Sequence, residues 1–384
     1  MTTAPGSSSR RLSTGKKGAF ATLVTVVFLV GLESSARVIE FVRSMRAGPS
    51  VETALRARDH PIRFELTPGR GLPANGQVAA INSLGLRGAE PDRTRRRVRV
   101  LCLGDSCTFG YAPDVTDQAS YPAALGRRLD LNRFETLNGG MPGFGSLDVL
   151  DYFVYKGVEL RPDVVVILAG WNDYARAQPL DTRAKPAPRS PLDRSAFFRL
   201  TREAIRRQYR PPPFDLTRER ARLAALPVPT DRLDDTVFAR TERVLEDLVR
   251  LCRVHGATPI LVTYPNFTRD EWSNADSLTA PELQTSLSYL LGGELSPRGW
   301  RRFATRTNRL ILDVAVREEV PLVDGSSLRD VSLFHDICHL NARGCDALAR
   351  LIAPAVEKSP PRGSTRRPPP RSNRATAGSV FSVL

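Results

Sequence analysis

The sequence predicts an α/β protein: a parallel sheet flanked by helices, with a hydrophobic helix near the N-terminus. Three observations lead there. Short apolar runs rich in β-branched residues alternate with longer amphipathic runs. One of the short runs, "DVVVILAG" (Asp163–Gly170), is almost continuously apolar, the pattern of a strand covered on both faces. An uncharged stretch, "GAFATLVTVVFLVGL" (Gly18–Leu32), follows a basic start.

That stretch is 15 residues long, whereas a spanning helix needs about 20. Three readings compete. It is a membrane anchor if Ser34–Ile39 extends the helix and Arg37 snorkels to the interface. It is a signal peptide if the chain is cut near the small residues Ser34 and Ala36, giving a secreted protein. It is otherwise a buried soluble helix. The anchor is preferred. Arg10, Arg11, Lys16 and Lys17 precede the run, which predicts a cytoplasmic N-terminus and an extracytoplasmic remainder. The expected organisation is a basic tail (1–17), an anchor or signal peptide (18–36), a juxtamembrane extension (37–96), a main α/β domain (97–357) and a disordered basic tail (358–384). That last segment, with "SPPRGSTRRPPPRSNR", has too little apolar surface to offset its ordering entropy.

Within 97–357 the elements follow in order. "RVRVLCLG" (Arg97–Gly104) reads as a buried strand, "SYPAALGRRL" (Ser120–Leu129) as a helix and "FETLN" (Phe134–Asn138) as a strand. "SLDVLDYFVYKG" (Ser146–Gly157) reads as a helix leading to the strand Asp163–Gly170. A long amphipathic helix (Thr236–Gly256) precedes the strand "TPILVTYP" (Thr258–Pro265). A helical stretch (Trp300–Glu319), the strand "VPLVDG" (Val320–Gly325) and a closing helix (Asn341–Glu357) complete five strands. The Pro/Arg-rich segment 174–235 is too long for an ordinary connection and is expected as an insertion over the rim, a lid or partner surface.

The net charge is +15, which first suggests nucleic acid. Four of those charges precede residue 18 and six follow residue 357, leaving five over the middle. The excess sits in the ends, so a nucleic-acid partner is not expected of the folded part. The five cysteines form no C-x-x-C, so a zinc site is not expected, and the odd count argues against a full disulfide framework; no metal or other cofactor is expected.

Ligands of parallel sheets bind at the carboxyl ends of the strands. Gly104-Asp105-Ser106, Asn138-Gly139-Gly140, Gly170-Trp171-Asn172 and Tyr264-Pro265 all fall there. Ser106 sits on a strand-to-helix turn with its hydroxyl toward the rim; alternatively, Asp105 or Ser106 merely caps the helix. Of the four histidines, His60 lies before the sheet and His255 at a helix end. That leaves "FHDICHLN" (Phe334–Asn341). Asp336 three residues before His339 could orient that imidazole, leaving its other nitrogen to take the Ser106 proton. His335 is the competing base, and D-x-x-H alone also fits a surface pair or half a metal site. Asn172 can donate an amide hydrogen to a developing negative charge, and Gly143 in "NGGMPGFG" (Asn138–Gly145) can bring a backbone N–H close to a substrate. Cys107 follows Ser106 and Cys338 precedes His339, so the two thiols are expected near each other at the rim.

The ordered set Gly104-Asp105-Ser106-x-Thr108, Asn138 to Gly143, Asn172-Asp173 and Asp336-x-x-His339 resembles the SGNH (GDSL-type) hydrolases over roughly Arg97–Glu357. "INSLGLRG" (Ile81–Gly88), with the hydrophobic N-terminal segment, resembles the membrane-attached bacterial members. The resemblance implies a flavodoxin-like three-layer α/β/α fold with a five-stranded parallel sheet. It implies Ser106 as nucleophile, His339 as base and Asp336 as its orienter. The implied oxyanion donors are the Ser106 N–H, the Gly143 N–H and the Asn172 side chain. Trp171 departs from the glycine many members carry and either narrows an acyl pocket or packs. The expected activity is an extracytoplasmic serine ester hydrolase acting on an acyl or acetyl ester of a small molecule, lipid or glycan. The alternatives are an acyltransferase to a cell-envelope glycan and a non-catalytic envelope binding protein.

Overall fold

The computed structural model describes residues 14–46, 55–57, 64–74, 77–92, 94–177, 192, 195–208, 213–226, 230–292 and 295–359. The C-terminal tail expected to be disordered lies, beyond 359, outside the described residues, as does most of the N-terminal basic tail.

The chain opens with α1 (Thr14–Arg46) and two short hairpins, β1–β2 (Leu55–Ala57, Phe64–Leu66) and β3–β4 (Leu72–Ala74, Gln77–Ala79). Next come β5 (Val98–Gly104), α2 (Ser106–Phe109), α3 (Tyr121–Arg128), β6 (Phe134–Gly140) and α4 (Ser146–Tyr152). Then follow β7 (Val164–Leu168), α5 (Trp171–Ala177), α6 (Ala196–Gln208), α7 (Leu216–Ala224) and α8 (Asp235–Val254). The last are β8 (Thr258–Val262), α9 (Ala280–Leu291), α10 (Pro297–Arg317), β9 (Leu322–Val323) and α11 (Ala342–Glu357). Contacts divide the chain into two compact units, Met1–Ser50 with Pro179–Glu219, and Val51–Gln178 with Arg220–Leu384.

In the first unit, α1 is 33 residues long, and its part Gly15–Val42 is long and apolar enough to cross a membrane. Those 28 residues span about 42 Å at 1.5 Å each, more than the ~30 Å hydrocarbon core. The apolar run seen in the sequence continues as helix because no Gly or Pro interrupts Glu33–Arg46. Glu33 pairs with Arg37 one turn on (2.8 Å) and also caps α6. Its carboxylate accepts the Ser195 hydroxyl (2.8 Å) and the N–H groups of Ala196 (3.0 Å) and Phe197 (3.2 Å). Arg199 of α6 grips Glu40 of α1 through Nε (3.0 Å) and Nη2 (2.5 Å). This part of the insertion is therefore built onto the N-terminal helix.

In the second unit, five parallel strands stand in the order β6-β5-β7-β8-β9. Val100–Leu103 of β5 and all of β7 are buried, as their β-branched, uncharged sequences require. α3 packs against α11, while α4 and α10 pack against α8, so helices form layers about the sheet. The order is the flavodoxin-like one, whose switch point lies where the first strand meets the third, here β5 and β7. The predicted helix Ser146–Gly157 is α-helical only to Tyr152 and widens to a π-turn over Phe153–Gly157. α9 was not predicted, although Thr279 and Glu282 form a capping box at its start.

Candidate active site

The turn after β5 is held by Asp105, which is 1% exposed. Its Oδ1 accepts the Cys107 N–H (2.8 Å), capping α2. Its Oδ2 accepts the Tyr264 hydroxyl (2.8 Å) and lies 3.5 Å from Asn172 Nδ2. Burial raises the Asp105 pKa, opposed by these hydrogen bonds. Asp105 thus ties the ends of β5, β7 and β8 together. Gly140 permits this turn: a Cβ there would overlap the backbone of Thr108 and Phe109. Asn138 braces the same place, donating to Phe109 O (3.2 Å) and accepting the Gly140 N–H (3.0 Å). Arg87, from the "INSLGLRG" segment, is 4% exposed. It donates to the carbonyls of Phe109 (2.8 Å), Gly110 (2.8 Å) and Val115 (2.7 Å) and pairs with Asp117 (2.8 Å).

Ser106 Oγ lies 2.8 Å from His339 Nε2. His339 Nδ1 lies 2.8 and 2.9 Å from the two Asp336 oxygens. Asp336 Oδ1 also accepts the N–H groups of Cys338 (3.1 Å) and His339 (2.9 Å). The predicted neighbours Asp336 and His339 lie on a bend closed by the bridge Phe334↔Leu340 and by His335 N–H to His339 O (2.8 Å). His335 is exposed, so its side chain is outside this chain of hydrogen bonds. Burial pushes the Asp336 carboxyl up, but the His339 charge and three N–H donors outweigh it and the net pKa is lowered. For His339 burial pulls down, while the Cys338 sulfur and the Asp336 carboxylate outweigh it and hold the imidazole well above its usual 6.5.

Cys107 and Cys338 meet here as free thiols, and with His339 their ligand atoms lie within 4.8 Å of one another, a spacing that could hold a metal ion. Both nitrogens of His339, however, already face Ser106 or Asp336. The Cys107 thiol lies 3.3 Å from the carbonyl of Cys338, and Tyr289 Oη lies 3.2 Å from Cys338 Sγ.

Asn172, on the first turn of α5, donates to Phe144 O (3.0 Å). Gly143 has φ +79°, with open space where a side chain would stand. Asp173 next to Asn172 is buried and accepts the Ser146 N–H (2.9 Å) and the Thr241 hydroxyl (3.0 Å), locking this loop to α5 and α8. Trp171 is packed: it stacks on Trp300 (6.3 Å, 13°) and meets Phe303 (5.0 Å) and Tyr264 (5.3 Å). It also walls a cavity of about 350 Å³ between α5, α9 and α10, bordered by Asn172, Tyr174, Ser288, Tyr289, Gly292, Trp300 and Phe303. The contributions of Tyr264 and Tyr289 were not foreseen. Tyr264 ends a predicted strand at the rim, whereas Tyr289 lies on α9, whose sequence signal is the Thr279–Glu282 capping box.

No curated protein matches the chain. Among solved structures it is similar to an acetylxylan esterase from Geobacillus stearothermophilus, at 16% identity and TM-score 0.40, covering 67% of this chain and 93% of that one. It is similar to a lipase/acylhydrolase from Enterococcus faecalis, at 16% identity and TM-score 0.40, covering 67% and 95%. It is also similar to a GDSL-like lipase from Bacteroides thetaiotaomicron, at 16% identity and TM-score 0.37, covering 71% and 92%. The family model of GDSL-like lipases and acylhydrolases matches residues 102–347, from the middle of β5 into α11. By that match the chain belongs to the GDSL-like lipase/acylhydrolase family and is an enzyme that hydrolyses ester bonds.

Proposed function

We propose that the protein is a serine ester hydrolase in which Ser106, His339 and Asp336 form the triad and turnover passes through an acyl-Ser106 intermediate. The observation that carries this reading is the hydrogen bond of 2.8 Å between Ser106 Oγ and His339 Nε2, continued at 2.8 Å from His339 Nδ1 to Asp336. Asp336 selects the tautomer with the proton on Nδ1, so Nε2 has a lone pair for the Ser106 proton. As that proton moves to Nε2, Oγ bonds to the ester carbonyl carbon. The resulting oxyanion accepts from the N–H groups of Ser106 and Gly143 and from the Asn172 amide. The Phe144 carbonyl holds one Asn172 amide hydrogen at 3.0 Å, and the other, only 3.5 Å from Asp105 Oδ2, turns from that long contact to the oxyanion. Collapse breaks the ester C–O bond, and the leaving oxygen takes the proton from His339. Water then repeats the sequence on the acyl-serine, with His339 again as base, releasing the acid and restoring the Ser106 hydroxyl.

The site works outside the cytoplasm, anchored by α1. Support comes from the length of the apolar part of α1, from its exposed Phe20, Leu23 and Phe28, and from the basic residues before it. Two experiments test the proposal. A fluorophosphonate should label the full-length chain on Ser106, mapped by peptide mass spectrometry; an unlabelled folded protein would refute the triad. A periplasmic reporter fused after Leu384 should be active and membrane-bound. Release of a soluble product shortened near Ala36 would replace the anchor with a signal peptide.

A further inference from the structure

The aromatic cavity beside Asn172 is assigned no part in the chemistry above. Its position is informative. Asn172, the side-chain donor proposed for the oxyanion, forms one border. Tyr289 forms another, and its hydroxyl touches Cys338, the neighbour of His339. The cavity therefore opens beside the point where an ester carbonyl would meet Ser106. Ser106 and His339 do not line it, so it is the substituent on the Asn172 side of that carbonyl that can reach it.

We propose that the cavity is an acyl-chain site, and that the enzyme acts on esters of straight-chain acids of roughly six to ten carbons rather than on acetyl esters. The inference rests on the ester-hydrolase reading and narrows its substrate. Size is the first argument. A volume of about 350 Å³ holds about a dozen units the size of water, at ~30 Å³ each, far more than an acetyl methyl requires. Chemistry is the second. The walls are Trp171, Tyr174, Tyr289, Trp300 and Phe303, with Asn172 and Ser288 as the polar additions. A sugar would need several convergent polar partners and a free ring face to lie on. Here Trp171 and Trp300 stack on each other and are only 5% and 4% exposed. What they leave is a buried apolar wall, which suits methylenes. Entry is the third argument: Ser288 and Gly292, both exposed on or just beyond α9, stand at the mouth, so a chain can enter from solvent. Trp171 is then both a packing residue and the floor of the acyl site.

The test is a chain-length series of p-nitrophenyl esters, acetate to decanoate, hydrolysed by the purified full-length chain, with fluorophosphonate labelling in parallel. Each buried methylene should raise kcat/KM about fourfold, so hexanoate should exceed acetate by on the order of 10². Ser288→Trp, a change at an exposed helix position, should plug the mouth and cut the hexanoate-to-acetate ratio at least tenfold. A labelled wild-type enzyme that prefers acetate, or an acetylated oligosaccharide, overturns the acyl site and leaves the triad standing. So does a folded Ser288→Trp variant with an unchanged ratio. Absence of labelling in the wild type takes down both proposals.

Discussion

Two turns build the site, and they are near copies of each other in sequence. Asp105-Ser106-Cys107 follows β5; Asp336-Ile337-Cys338-His339 precedes α11. In each, an aspartate caps the turn by accepting the N–H of the cysteine, at 2.8 Å for Cys107 and 3.1 Å for Cys338. Yet burial wins at Asp105, whose pKa is raised, and loses at Asp336, whose pKa is lowered. The difference lies in what faces the second oxygen. Asp105 meets a phenol and an amide, which are neutral. Asp336 meets an imidazole, which becomes a cation when it takes the serine proton. The same capping residue is therefore a brace in one turn and an electrostatic partner in the other.

Substitutions sharpen this contrast, beginning with the largest effect. Ser106→Ala and His339→Ala should each lower kcat on the best ester by on the order of 10⁶, and the double variant should be no worse, because triad members act as a unit. Asp336→Asn should cost ~10⁴ in kcat, since an amide favours the wrong imidazole tautomer. It should also move the pH profile. His339 is competent only when neutral, so wild-type activity should rise with pH through a midpoint above the ordinary histidine value, because the Cys338 sulfur and the Asp336 carboxylate favour the charged imidazole. Removing the carboxylate removes a cause of that elevation, and the rising limb should shift to lower pH. An unshifted limb would make Asp336 a mere cap, like Asp105.

Asn172→Ala should lower kcat by ~10²–10³ with little change in KM, the usual loss for one oxyanion donor. Asp105→Asn keeps an oxygen for the Cys107 N–H and should reduce kcat by less than about tenfold, whereas Asp105→Ala loses the cap and should destabilise the fold by ~1–2 kcal/mol in urea titration. A 10⁴-fold loss in Asp105→Asn would erase the distinction between the two turns. His335→Ala should change kcat by no more than about twofold, the scale of a surface substitution. Equal loss in His335→Ala and His339→Ala would show the base to be misassigned.

Much of this was legible because it rests on local pattern. Continuous β-branched runs such as Val164–Leu168 leave little choice but a doubly covered strand. Asp336 and His339 are only three residues apart, so their pairing needs one turn of chain and nothing distant. The contribution of Tyr264 to Asp105 was not legible, because 159 residues separate them and only the sheet brings them together. The length of segment 174–235 suggests an insertion over the rim, a lid or a partner surface. Its helix α6 is capped by Glu33 of α1, 163 residues earlier, a contact that no local pattern encodes.

By itself, the sequence determined the α/β class, the strand ends on which the site residues stand, the local Asp336–His339 pair and an apolar N-terminal helix. Each follows from interactions within a few residues or from burial of a repeating pattern. Only the tertiary structure decided which of two histidines meets Ser106, what faces Asp105, and that Trp171, Tyr289 and Trp300 border a cavity beside Asn172. Those depend on strand order and helix packing, which bring together side chains more than a hundred residues apart, and the distance of 2.8 Å from Ser106 to His339 exists only once the sheet has formed.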